Sequence, residues 1–158
     1  MARRPHELLR LLTRAERLAT RRLQSVLEEF DCSVEAWWVL DLLSDGQGHH
    51  MTALADHAVM PAPSATKLID QLVDQNLVFR RVDPADRRRV LACLTPRGME
   101  RRQQLVRAVR ADRAGWEPLL GEERGQRLEV LLDRLAEVLD DGAGATTARA
   151  ERAVGRGR

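Results

Sequence analysis

Three observations point to a mainly α-helical protein carrying one small β-hairpin. Apolar residues recur at helical spacing in long stretches near both ends of the chain. Two short apolar helical segments stand close together in the middle. Beyond them, the run Asp83-Pro84-Ala85-Asp86-Arg87-Arg88-Arg89 lies between two β-capable runs, Leu77-Val78-Phe79 and Val90-Leu91-Ala92-Cys93-Leu94.

Taken in order, Leu8, Leu12, Ala15, Ala19, Leu23, Val26 and Phe30 keep helical period from about Pro5 to Phe30, with arginines around them. Ser33 is a good N-cap for a second helix, Val34 to Leu43, which turns Trp37, Leu40 and Leu43 toward a core and ends at Gly46 and Gly48. Thr52 can cap a third, short helix reaching Ala58. After a break at Met60-Pro61, a fourth helix, Ser64 to Gln75, buries Ala65, Leu68, Ile69 and Leu72. Two short helices joined by a tight turn form a helix-turn-helix. The hairpin follows at once, and Thr95-Pro96 reads as N-cap and first position of the next helix. Leu105, Val106, Val109, Trp116, Leu119 and Leu120 line that helix. After Gly121, Leu128, Leu131, Leu132, Leu135, Val138 and Leu139 line another, too apolar along one stripe to stand in water alone. It calls for a partner, and with the first helix it suggests a bundle joining two copies. The Gly-, Ala-, Thr- and Arg-rich end offers little to bury and is expected to be a disordered, weakly basic tail. The resulting division is 1–32 and 99–140 as helices of a dimerisation domain, 33–98 as a winged helix-turn-helix lobe, and 141–158 as the tail.

Charge narrows the function by its placement. The net charge is only +2, with 26 basic and 24 acidic residues, so the whole molecule does not advertise a polyanionic partner. Arginines nevertheless outnumber acids between Asp83 and Arg102, while acids gather at Glu28-Glu29, Glu122-Glu123 and Asp140-Asp141. A local basic stripe holds phosphate even on a nearly neutral protein. On the preceding helix, with Leu68 and Leu72 turned inward, Ser64, Thr66, Lys67 and Gln71 face outward; Lys67 is the only lysine of the chain. A polar helix followed by a basic finger suits one DNA groove and its neighbour.

Other chemistries find little support. No apolar run approaches the roughly 20 residues that span a bilayer, and the arginine-bearing start leads into an Arg-interrupted helix rather than a secretory core. The two cysteines make no disulfide framework, and a reducing cytoplasm is expected. There is no Gly-rich phosphate loop, nucleophile elbow or His-Glu-x-x-His helix, so the protein is not expected to be an enzyme and no cofactor is expected.

The order of elements, and above all the run from Asp83 to Gly98, resembles the MarR family of winged-helix transcriptional regulators. Asp86, Arg88 and the strand ending in Leu94-Thr95, with Gly98 beyond, look like the family's wing signature. Leu54-Ala55-Asp56-His57 through Lys67-Leu68-Ile69-Asp70-Gln71-Leu72 is similar to its paired helices. The resemblance implies a homodimer on a pseudopalindromic double-stranded operator, with the second helix of the pair in a major groove and Arg88 reaching into a minor groove, where Arg87 and Arg89 of the basic finger are further DNA-binding candidates. Asp86 would buttress the wing. It also implies a cleft for a small aromatic or anionic effector, to which Trp38 and either Arg14 or Arg17 would contribute. Relatives that sense peroxide use a tyrosine-supported thiol in the first helix. This chain has no tyrosine and Cys32 adjoins Asp31, so Cys32 and Cys93 are read as inert. Zinc-sensing relatives carry histidines in the C-terminal helix that are missing here, so His49 and His50 are read as structural or solvated and no metal is expected. Repression, and control of resistance or secondary metabolism, are the family's common arrangement. The chain departs from the family at Pro61, where a serine-like cap is usual, and at Ala62-Pro63, which makes the next helix begin unusually apolar. Asn76 stands where glycine is usual; Asn also tolerates the left-handed backbone. The rival reading is a winged-helix module whose hairpin docks an acidic protein.

Overall fold

The computed structural model describes the backbone of residues 7–154 and the side chains of residues 7–140. Helices α1 (Glu7–Glu28) and α2 (Val34–Leu42) are followed by a short 3₁₀ turn and strand β1 (His49–His50). Then come α3 (Met51–His57), α4 (Ala62–Asp74), β2 (Val78–Val82), β3 (Val90–Leu94), α5 (Pro96–Trp116), a second 3₁₀ turn at Glu117–Leu119, and α6 (Glu122–Val154). The chain is therefore mainly α-helical with a small antiparallel sheet, in the strand order β1-β3-β2.

Two compact units divide the chain at residue 112, residues 1–112 and 113–158. The first takes α1 and most of α5 together with the helix-turn-helix and sheet. The reason is packing. Leu27 of α1 and Leu105 of α5 are wholly buried in the same core as Trp37, Leu40, Leu54 and Ile69. Arg102 of α5 adds a forked bond to Asp41 of α2 (2.7 and 3.0 Å), and Arg22 of α1 grips Asp112 (2.8 Å).

The local signals in the sequence act as chemistry predicts at two helix starts. Ser33 accepts the Ala36 N–H at 3.1 Å. Thr95 accepts the Gly98 N–H at 2.9 Å and donates its own hydroxyl to the Asn76 carbonyl at 2.7 Å, which ties the start of α5 to the start of β2. Gly98 is needed for that approach, since a Cβ there would lie 2.0 Å from the Leu77 carbonyl oxygen. Asn76 adopts φ +56, the left-handed turn that joins α4 to the wing.

Elsewhere the structure departs from expectation. His50, not Thr52, stands at the N-cap of α3 and makes no side-chain cap. α4 begins at Ala62, two residues early, because Pro63 falls in the first turn, where its missing N–H would have had no partner anyway. Leu119 lies in a 3₁₀ turn rather than on α5. α6 continues through 141–154, where a structureless tail is expected. This segment is rich in alanine, the residue of highest helix propensity, which an expectation based on burial overlooks. Residues 155–158 lie outside the described residues.

Candidate nucleic-acid interface

The wing is an antiparallel hairpin in register from Val78 opposite Leu94 to Val82 opposite Val90. Its tip is closed by two aspartates. Asp83 accepts the Ala85 N–H (2.8 Å), and its own N–H bonds the Arg89 carbonyl (2.9 Å). Asp86 accepts the Arg88 N–H (3.0 Å), its carbonyl accepts the Arg89 N–H (2.9 Å), and its carboxylate meets the Arg89 guanidinium at 3.3 Å. Asp86 thus organises the turn through the backbone of one arginine and the side chain of the next. Arg87 and Arg88 are exposed and have no carboxylate partner among the described residues.

Beside the wing, α4 turns Ala65, Ile69 and Leu72 into the core and leaves Ser64, Thr66, Lys67 and Gln71 exposed. Lys67 and Gln71 share one stripe at i, i+4. Thr66 donates its hydroxyl to the Ala62 carbonyl at 3.1 Å, so its proton is held within the helix. Gln71 also borders a cavity of about 180 Å³ that Cys32 and Arg101 help to line.

Sequence reasoning missed three groups that set the electrostatics of this surface. Arg80 on β2 pairs with Asp70 on α4 at 2.6 Å, which neutralises a carboxylate on the outward side of the helix. Strand alternation carried the signal, because Val78, Arg80 and Val82 must share a face and Val78 is buried. Arg81, on the opposite face, donates to the Gln47 carbonyl (2.8 Å). His50 meets Asp83 at 3.2 Å and so links β1 to the root of the wing tip.

The remaining candidates are placed apart from one another. His49 pairs with Asp45 at 2.7 Å; the Asp45 carboxyl is held below its ordinary range first by the Gln47 N–H and then by His49. No cluster of three or more metal-ligating side chains occurs among the described residues. Burial pushes the Cys32 thiol up to about 11, only partly opposed by the nearby Arg101 charge, and Cys93 is buried in β3. Arg101 itself stacks over the Phe30 ring and donates to the Phe30 carbonyl. Arg14 and Arg17 lie together on α1 along an open groove of about 500 Å³ with Leu9 and Leu18. Trp38, 37% exposed, packs instead against Trp37 and edge-on to His57, each with ring centroids 6.3 Å away. Trp38 is not among the side chains that line that groove. No described helix is long and apolar enough to cross a membrane.

This architecture has close counterparts. Residues 30–89 match the family model described as MarR family. The chain is 28% identical over 130 residues to the HTH-type transcriptional regulator FarR of Neisseria gonorrhoeae, covering 82% of this chain and 88% of FarR. It superposes on the crystal structure of AbsC, a MarR family transcriptional regulator from Streptomyces coelicolor, with TM-score 0.73 and 27% identity, over 89% of this chain and 99% of AbsC. The fold is shared as well with BpsR of Bordetella bronchiseptica, whose DNA binding is regulated by 6-hydroxynicotinic acid. There the TM-score is 0.73 and the identity 21%, over 86% of this chain and 98% of BpsR. A polar helix beside an arginine-tipped hairpin is thus set in a fold that the chain shares with MarR family transcriptional regulators, and its residues 30–89 match that family's model.

Proposed function

We propose that the protein regulates transcription as a homodimer on a pseudopalindromic operator. In this reading residues 33–98 form the DNA-binding lobe, and the helices in 1–32 and 99–140 form the dimer arms. α4 enters a major groove with Ser64, Thr66, Lys67 and Gln71, and the two copies of α4 lie about 34–36 Å apart, one turn of duplex. The wing, braced by Asp86, brings Arg87, Arg88 and Arg89 to the flanking minor groove, where a narrow A·T-rich stretch attracts an inserted guanidinium. The observation that carries the reading is the wing tip: a turn pinned by two aspartates holds two arginines outward with no internal carboxylate to satisfy them. Exposed apolar side chains support the dimer, among them Leu8, Leu11 and Leu18 on α1 and Leu128, Leu131 and Leu139 on α6.

DNA affinity is set by an effector that prefers one spacing of the two lobes, since a ligand shifts an equilibrium only by its differential affinity for the two states. Its class is a small aromatic or anionic molecule. Arg14 and Arg17 would supply cations and Trp38 a ring. The aromatic acid that acts on BpsR supports this class. Such a regulator works in the cytoplasm, where its DNA is.

The test is fluorescence anisotropy on DNA from around the protein's own gene, and on sequences from random selection, across a salt series. The expected result is sequence-selective binding whose log K falls by about 0.9 per phosphate neutralised per log unit of salt. Arg88→Ala is expected to weaken binding while keeping the preferred sequence. Binding indifferent to sequence and to Arg88 would refute the proposal.

A further inference from the structure

The turn of the helix-turn-helix and the start of α4 are built from Val59, Met60, Pro61, Ala62 and Pro63, and all but Met60 are exposed. Val59 is 92% exposed and sits at φ +51, a backbone conformation that a β-branched residue rarely adopts. Neither core packing nor a polar role of its side chain accounts for it. α4 has no side-chain N-cap, because Pro61 occupies that position. Ala62 and Thr66 stand one turn apart on the helix, as do Pro63 and Lys67. Thr66 has its hydroxyl proton committed to Ala62, so it has no donor to offer and presents its methyl beside an acceptor oxygen. Ser64 apart, the exposed surface of α4 is therefore largely apolar at its N-terminal end and polar from Lys67 onward.

In a major groove, the N-terminal residues of such a helix lie nearest the base edges. The one apolar feature on those edges is the C5-methyl of thymine, which is read by contact with small apolar side chains. We infer that Val59, Ala62, Pro63 and the Thr66 methyl select thymine methyl groups in each half-site, while Ser64, Lys67 and Gln71 act by hydrogen bond or charge. The inference rests on the DNA-binding reading above and specifies its base preference. It requires thymine at one or two defined positions in each half-site.

The test begins with an operator obtained by random-sequence selection with the full-length protein. Each half-site thymine is then replaced by deoxyuridine, which removes the methyl and leaves pairing and hydrogen-bonding edges as they were. Burying one carbon group predicts a three- to fivefold loss of affinity, roughly, at one or two positions per half-site. In Val59→Gly and Pro63→Ala the same replacement should cost less than about twofold at the position that side chain touches. Gly relieves the positive φ and Ala keeps the helix, so these variants are expected to fold, and circular dichroism checks it. Selective, salt-sensitive binding that is indifferent to every thymine-to-uridine change would overturn this inference and leave the regulator reading standing. The same holds for methyl losses that persist unchanged in both variants, which would assign the contact elsewhere. Failure to select any sequence would overturn both.

Discussion

Replacing Gly98 by alanine offers a test of the fold in which the sign of the result decides. Gly98 is the third residue of α5, and alanine in an exposed helix would be expected to stabilise the protein by up to about 1 kcal/mol over glycine. Here the added Cβ would meet the Leu77 carbonyl oxygen at 2.0 Å, the Leu77 carbonyl carbon at 3.0 Å and the Leu94 side chain at 2.9 Å. The first two are backbone, so relief requires the start of α5 to move away from the start of β2. That movement stretches the bonds that join them: Thr95 N–H to Leu77 O (3.0 Å), Thr95 hydroxyl to Asn76 O (2.7 Å) and Gly98 N–H to the Thr95 hydroxyl (2.9 Å). At about 1 kcal/mol for each bond, less the propensity gain, the net destabilisation is about 2–3 kcal/mol. Urea unfolding followed by far-ultraviolet circular dichroism measures it. Gly125→Ala in the first part of α6, where a Cβ meets nothing within 4 Å, is the control and should be neutral or stabilising. A Gly98→Ala protein as stable as the unmodified one would refute the proposed contact between α5 and the wing.

Three further outcomes follow from particular contacts. Because burial raises the Cys32 thiol from 9.0 to about 11, its thiolate fraction near pH 8 should be about 100-fold lower in the folded protein than in the unfolded chain. A Cys93→Ser background with a disulfide reagent reads this directly, and equal rates in native buffer and urea would sink it. The sign is that of a raised acid: folding favours the neutral thiol, so this contribution is present at neutral pH and is lost as pH rises, beginning near the unfolded value. Arg80→Ala should weaken DNA binding about threefold to tenfold, since it both removes a cation and frees Asp70 to face phosphate; adding Asp70→Asn should restore most of the loss. No restoration would mean that Arg80 contacts DNA itself. Leu131→Asp with Leu135→Asp should give monomers by sedimentation and abolish binding to a full operator but not the folded lobe, and a stable dimer of that double variant would remove α6 from the proposed interface.

The helical stretches, the helix-turn-helix and the hairpin were legible because each is encoded locally. Ser33 and Thr95 cap by their own hydroxyls, Asn76 tolerates its left-handed turn, and the period of Ala65, Ile69 and Leu72 marks the buried face of α4 without reference to anything distant. The basic tip was equally visible, since consecutive arginines in a turn have nowhere to go but outward. What escaped the sequence depends on partners far along the chain or on elements too short to show a period. β1 is two residues long and exists because His49 and His50 pair with Ala92 and Leu91 of β3. Gly48, at φ +80, lets the strand approach closely enough that a Cβ there would sit 2.6 Å from the Cys93 sulfur. The Asp41–Arg102, Asp70–Arg80 and Asp83–His50 pairs join residues between 10 and 61 positions apart, and no spacing rule relates them. The sequence by itself determined the helical framework, α4 with its apolar start, and the arginine-tipped wing. Only the tertiary structure decided which charges are neutralised, that Trp38 packs against Trp37 and His57, and that α1 and α5 share a core with the helix-turn-helix. Local propensity and capping act over a few residues, whereas ion pairing and burial depend on distances that the folded chain alone sets.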